Sequence, residues 1–151
     1  MLPQAVRVLS IGACASVLMS GCLGHRFERR FLNGPVETRV DRLRQYSLED
    51  QFKIFTYGMH HWHPPARTLA TPIAERGATA IPFLSNQLEA DTDSARVGDF
   101  LEIFERMTSL KTYDLKSDDR LMSLLEERVD RIKDPEWRRI CRKNLNEIKN
   151  P

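Results

Sequence analysis

The sequence predicts an all-α fold, either an irregular stack of α-hairpins or a compact bundle of six or seven helices. Three observations carry that expectation. Long stretches mix Leu, Glu, Arg and Ala, residues that lose little conformational freedom in a helix. Apolar residues return at three- and four-residue spacings along most of the chain, and none alternates with period two for long. Only seven glycines are present and β-branched runs are scarce, which leaves little to build a sheet from. Of 151 residues, 41% are hydrophobic and 29% charged, enough apolar content for one packed core and too much for a disordered chain.

Each element has its own signature. The turn-rich stretch from Asn33 to Tyr46 places Val36, Val40 and Leu43 on one face. Ser47 is an N-cap with Asp50 three residues on, and Leu48, Phe52, Phe55 and Met59 then follow the 3.6 period. Pro64 and Pro65 end that helix, because the residue before a proline avoids the α region. One of the two prolines opens the next helix, which turns Leu69 and Ile73 inward and closes at Gly77. Ile81, Leu84 and Leu88 mark another.

Asp93 or Ser94 caps the helix that follows. It carries Val97, Leu101 and Phe104, with Phe100, Ile103 and Met107 widening the stripe. Ser117 or Asp118 starts one bearing Leu121, Leu124, Leu125, Val129 and Ile132. Asp134-Pro135-Glu136 combines a cap, a proline at the first helical position and an acid in the first turn. In that last helix Trp137, Ile140, Cys141, Leu145 and Ile148 share a face, so Cys141 reads as a small buried hydrophobe. Joints this short make sequence neighbours antiparallel.

One segment resembles a known repeat. Ile73 to Met107, "IAERGATAIPFLSNQLEADTDSARVGDFLEIFERM", is similar to a HEAT-type helical repeat in its Gly77-to-Pro82 entry, its acidic turn and its Arg96 early in the second helix. The resemblance covers one repeat. It implies a stretch of right-handed superhelix in which Asp91 or Asp93 braces the joint with Arg96, and a scaffold-like, non-enzymatic role.

The N-terminus carries a different signature. Arg7 precedes the apolar run Val8 to Met19, and twelve residues fall short of the about 20 needed to span a bilayer. A basic start, a short apolar run and small residues at its end describe a secretory signal. The run closes on "LMSGC", which resembles the lipobox of bacterial lipoproteins. That resemblance implies cleavage between Gly21 and Cys22 and lipidation of the Cys22 thiol. Met19 takes the aliphatic position, and Ser20 and Gly21 are the small pair.

Leu23, rather than Asp, follows the cysteine. The resemblance therefore implies anchoring to the periplasmic face of the outer membrane. Residues 1–21 are then the signal, 22–34 the lipidated tether and 35–151 the helical domain. In the tether, Arg26, Arg29 and Arg30 alternate with Phe27 and Phe31, either as a linker whose rings dock on the domain or as a membrane-facing element. Cys141 is left as the one thiol of the mature chain.

Candidate chemistry is sparse. The formal net charge is +2, and losing Arg7 with the signal brings it closer to neutral, so nucleic acid is not an expected partner. His60, His61 and His63 crowd beside Trp62, and imidazole suits Zn, Cu and Ni, so the three are candidate metal ligands. Three histidines within four residues of one helix do not all reach one ion, however, and the other reading is a helix terminus. No G-x-S-x-G, H-E-x-x-H or C-x-x-C is present, and Glu102 with Glu105, or Glu126 with Glu127, read as solvated faces. Arg138, Arg139, Arg142 and Lys143 form a basic face on the last helix.

The expected function is thus a non-enzymatic envelope lipoprotein that binds another envelope protein, with no cofactor beyond the lipid on Cys22. A periplasmic metal-binding module is the first alternative and a cell-wall enzyme the second.

Overall fold

The computed structural model describes residues 25–91 and 93–150. The segment 1–21, the Gly21–Cys22 bond and Cys22 itself lie outside the described residues. Those described form eight α-helices and no strand: α1 (Arg26–Leu32), α2 (Arg39–Leu43), α3 (Leu48–His61), α4 (Ala70–Ala74), α5 (Ile81–Ala90), α6 (Val97–Leu110), α7 (Asp119–Asp130) and α8 (Pro135–Lys149). None of them is long and apolar enough to cross a membrane.

The start signals work as their chemistry dictates. The Ser47 hydroxyl oxygen accepts from the Asp50 N–H at 3.1 Å and opens α3. Asp93 accepts from the Ala95 N–H at 2.9 Å ahead of α6, Asp118 from Leu121 at 3.0 Å at α7, and Asp134 from Trp137 at 2.6 Å at α8. Where two caps were open, the aspartate takes the role.

α6 runs through the middle. Val97, Phe100, Leu101, Ile103, Phe104 and Met107 are all buried on it, and it packs against both α4 and α8. One apolar core runs from Phe31 to Ile148, so both ends of the described chain share it. Two polar side chains tie the α2–α3–α4 joint from inside. Buried Gln51 donates to the Leu43 carbonyl at 2.9 Å and accepts from Arg76 at the same distance, while Arg76 also donates to the Tyr46 carbonyl at 2.8 Å.

Two elements differ from the sequence expectation. The single helix expected from Pro64 or Pro65 to Gly77 is instead a 3-10 turn, Arg67–Leu69, leading into the five-residue α4. Pro72 has no N–H to bond back toward Thr68, so regular α-helix starts only just ahead of it. Gly77 does end this region, at φ +54°, and a second 3-10 turn, Gly77–Ala80, leads into α5.

The helical body also begins earlier than residue 35. α1 packs on α3 with Glu28, Phe31 and Leu32 buried, an i, i+3, i+4 set that gives even seven residues an inner face. The two tether phenylalanines separate: Phe31 is 3% exposed and Phe27 43%. Buried Arg39 donates to the Leu32 carbonyl at 2.7 Å and to the Gly34 carbonyl at 3.3 Å, satisfying the C-terminal end of α1.

Candidate functional site

The last turn of α3 lies beside α1 and the start of α6, and the chemistry-bearing residues gather there. Tyr57 and His61 are four apart on α3, so they share a face. Their rings stack at 4.5 Å between centroids and 8° between planes. His25, just ahead of α1, adds a third ring, 5.1 Å from Tyr57 and 5.8 Å from His61. These rings, with Lys53, Thr56 and Arg96, line an open cleft of about 400 Å³. Glu28 closes one side, and one of its carboxylate oxygens is buried without a hydrogen-bond partner.

His60 lines the same cleft and reaches across to α6. Its Nε2 lies 2.8 Å from an Asp99 carboxylate oxygen on the first turn of α6. The Asp99 side chain is only 4% exposed. Desolvation pushes its pKa from 3.8 up to about 6, against the opposing pull of His60 and Arg96. Folding stabilised this way is present below the unfolded value and is lost as pH rises through about 6.

Asp99→Asn keeps an acceptor for His60 and removes the titration. We expect its stability to exceed the parent's at pH 8 relative to pH 4, by on the order of 2–3 kcal/mol. Urea unfolding across that range checks this, and parallel profiles for parent and variant would refute it.

Of the three histidines singled out in the sequence, two meet at one site: His60, held by Asp99, and His61, in the ring stack, both line the cleft, whereas His63 lies exposed beyond the end of α3, away from the lining. Among the described residues, no three of His, Cys, Asp or Glu are placed to hold a metal ion.

Three of the four acids in the two acidic pairs are engaged in ion pairs, and the fourth, Glu105, is exposed. Glu102 is not a solvated face: its side chain is 13% exposed and spans Arg67 at 3.4 Å and Arg106 at 3.8 Å. Glu126 pairs with Lys149, and Glu127 with Arg131 at 2.5 Å. The basic face of α8 is largely neutralised, by Arg139–Glu136 at 2.6 Å, Arg142–Asp130 and Lys143–Glu147 at 3.6 Å. Arg96 and Asp91 brace the α5–α6 joint at 2.9 Å, the pairing anticipated there. Cys141 is buried, and desolvation lifts its thiol pKa to about 11.

No family model, curated protein or solved structure matches the chain.

Proposed function

We propose that the chain is a bacterial envelope lipoprotein. It is cleaved between Gly21 and Cys22, acylated on Cys22 and held at the periplasmic face of the outer membrane. Its helical body serves as a non-enzymatic docking module for another envelope protein. The observation that carries this reading is the order of features at the start of the chain: a short apolar run, then Met19-Ser20-Gly21-Cys22, then a packed helical body after only Leu23, Gly24 and His25. Two or more acyl chains, at about 0.8 kcal/mol per buried CH₂, hold such a body durably at a bilayer.

The cleft supports docking rather than turnover. Its stacked rings offer a flat apolar and polarisable face, flanked by Lys53 and Arg96, each already paired with an acid, and by Glu28 and Asp93. That chemistry suits a protein segment that brings an apolar or aromatic anchor to the rings.

Cys22→Ala tests the anchor. The parent should take up labelled palmitate and fractionate with outer membranes, whereas the variant should take up none and keep its first 21 residues. Identical migration and membrane association of both proteins, with neither labelled, would end the proposal. Crosslinking in cells from a photoreactive residue at position 61 tests the docking half, which falls if no specific envelope protein is recovered.

A further inference from the structure

We propose that the outward face of α1 docks on an anionic phospholipid surface, so that the body lies against the bilayer rather than hanging from its anchor. The proposal deepens the lipoprotein reading and rests on it for the position of the membrane.

The first observation is the division of α1 into two faces. At about 100° per residue, Arg29, Arg26, Arg30 and Phe27 follow one another around one side, and Glu28, Phe31 and Leu32 occupy the other. Burial follows that division: the first four are exposed and the last three are buried against the body. The apolar face of α1 is therefore already used by the core, and what it offers outward is three guanidiniums bordered by one aromatic ring.

The second observation is that these charges have no ion-pair partner among the described residues. None of Arg26, Arg29 and Arg30 is in an ion pair with a described residue, whereas four of the five cations on α8 are. Glu28, the one acid in α1, points inward. Phe27, at 43% exposure, leans edge-on against Tyr46 at 5.6 Å and keeps its other edge outside.

The third observation is reach. Arg26 stands four residues beyond Cys22, so an acylated Cys22 would keep the start of α1 within about 14 Å of the headgroups. A basic surface on so short a tether can settle within one Debye length of an anionic leaflet, where each arginine strengthens binding about fivefold. Charge complementarity and tether length thus select the lipid surface over a soluble acidic partner.

The test uses the full chain, purified from membranes and reconstituted in vesicles, with Phe27→Cys carrying an environment-sensitive fluorophore. In vesicles of phosphatidylethanolamine and phosphatidylglycerol the probe should report an apolar, water-poor setting that high salt reverses. In phosphatidylcholine it should report water. Arg26→Gln, Arg29→Gln and Arg30→Gln together should weaken the docked state about 100-fold. These positions are exposed, and circular dichroism checks that the fold is kept.

A probe signal indifferent to lipid charge and to the three substitutions would overturn the proposal. So would a signal seen in native envelope membranes but not in pure lipid, which would make a protein the occupant. Palmitate labelling of the same preparation reports the anchor separately. A labelled protein with an indifferent probe refutes docking alone, and an unlabelled protein with a charge-dependent probe refutes the anchor alone.

Discussion

Phe100→Ala is expected to destabilise the body by about 3–5 kcal/mol. Phe100 is 1% exposed on α6, the helix packed on both sides. Its ring lies 5.4 Å from that of Phe52, which in turn meets Phe83 edge-to-face at 5.5 Å and carries the Arg96 guanidinium 5.7 Å from its centroid. Removing the ring leaves a cavity bordered by α3, α5 and α6 and frees Phe52 from its inner contact. Aromatic pairs contribute about 0.5–1.5 kcal/mol beyond area, so Phe100→Leu, which keeps most of the volume, should recover most but not all of the loss. Domains of this size are stable by about 5–15 kcal/mol, so the alanine variant should show a large drop in denaturation midpoint. A loss under about 1 kcal/mol would mean that this ring is not at the centre of the core.

Gly77→Ala should cost about 2–5 kcal/mol, through backbone and packing together. Gly77 sits at φ +54°, where a Cβ meets the following carbonyl, and this alone costs about 1–2 kcal/mol. A Cβ there would also lie 2.5 Å from the Thr112 carbonyl oxygen. That carbonyl does not yield easily. The Thr112 hydroxyl donates to the Ala74 carbonyl at 2.7 Å, and its N–H bonds the Met107 carbonyl at 3.0 Å beyond the left-handed Lys111. The close crossing therefore joins the end of α4 to the end of α6. Gly77→Asn tolerates the left-handed conformation better and keeps the steric conflict, so the difference between the two variants separates the contributions. Thermal unfolding measures both, and an alanine variant as stable as the parent would refute the crossing.

What the sequence made legible is what local chemistry decides. Ser47, Asp118 and Asp134 announce their helices within three residues, and the α6 stripe from Val97 to Met107 needs only the helical period. The all-α architecture follows from those signals together. The sequence misleads where a short local feature competes with a longer pattern. Pro72 is hidden inside an apolar run, and the three arginines of α1 mask its Glu28, Phe31, Leu32 face and give it the look of a tether.

The site was half visible. Tyr57 and His61 stand at an i, i+4 spacing that foretells their stacking, whereas the crowding of three histidines groups with them His63, which the structure leaves outside. The His60–Asp99 contact spans 39 positions, and His25 reaches the stack only because α1 folds back on α3. Spacing along the chain carries no trace of either.

Cys141 is sealed beneath α8 with its thiol proton held far above neutral pH. In an oxidising compartment such a sulfur neither crosslinks copies of the chain nor climbs to sulfenic acid while its helix stays seated. It becomes reactive only when α8 lifts away, which makes this one buried atom a natural clock for how often the folded body comes apart.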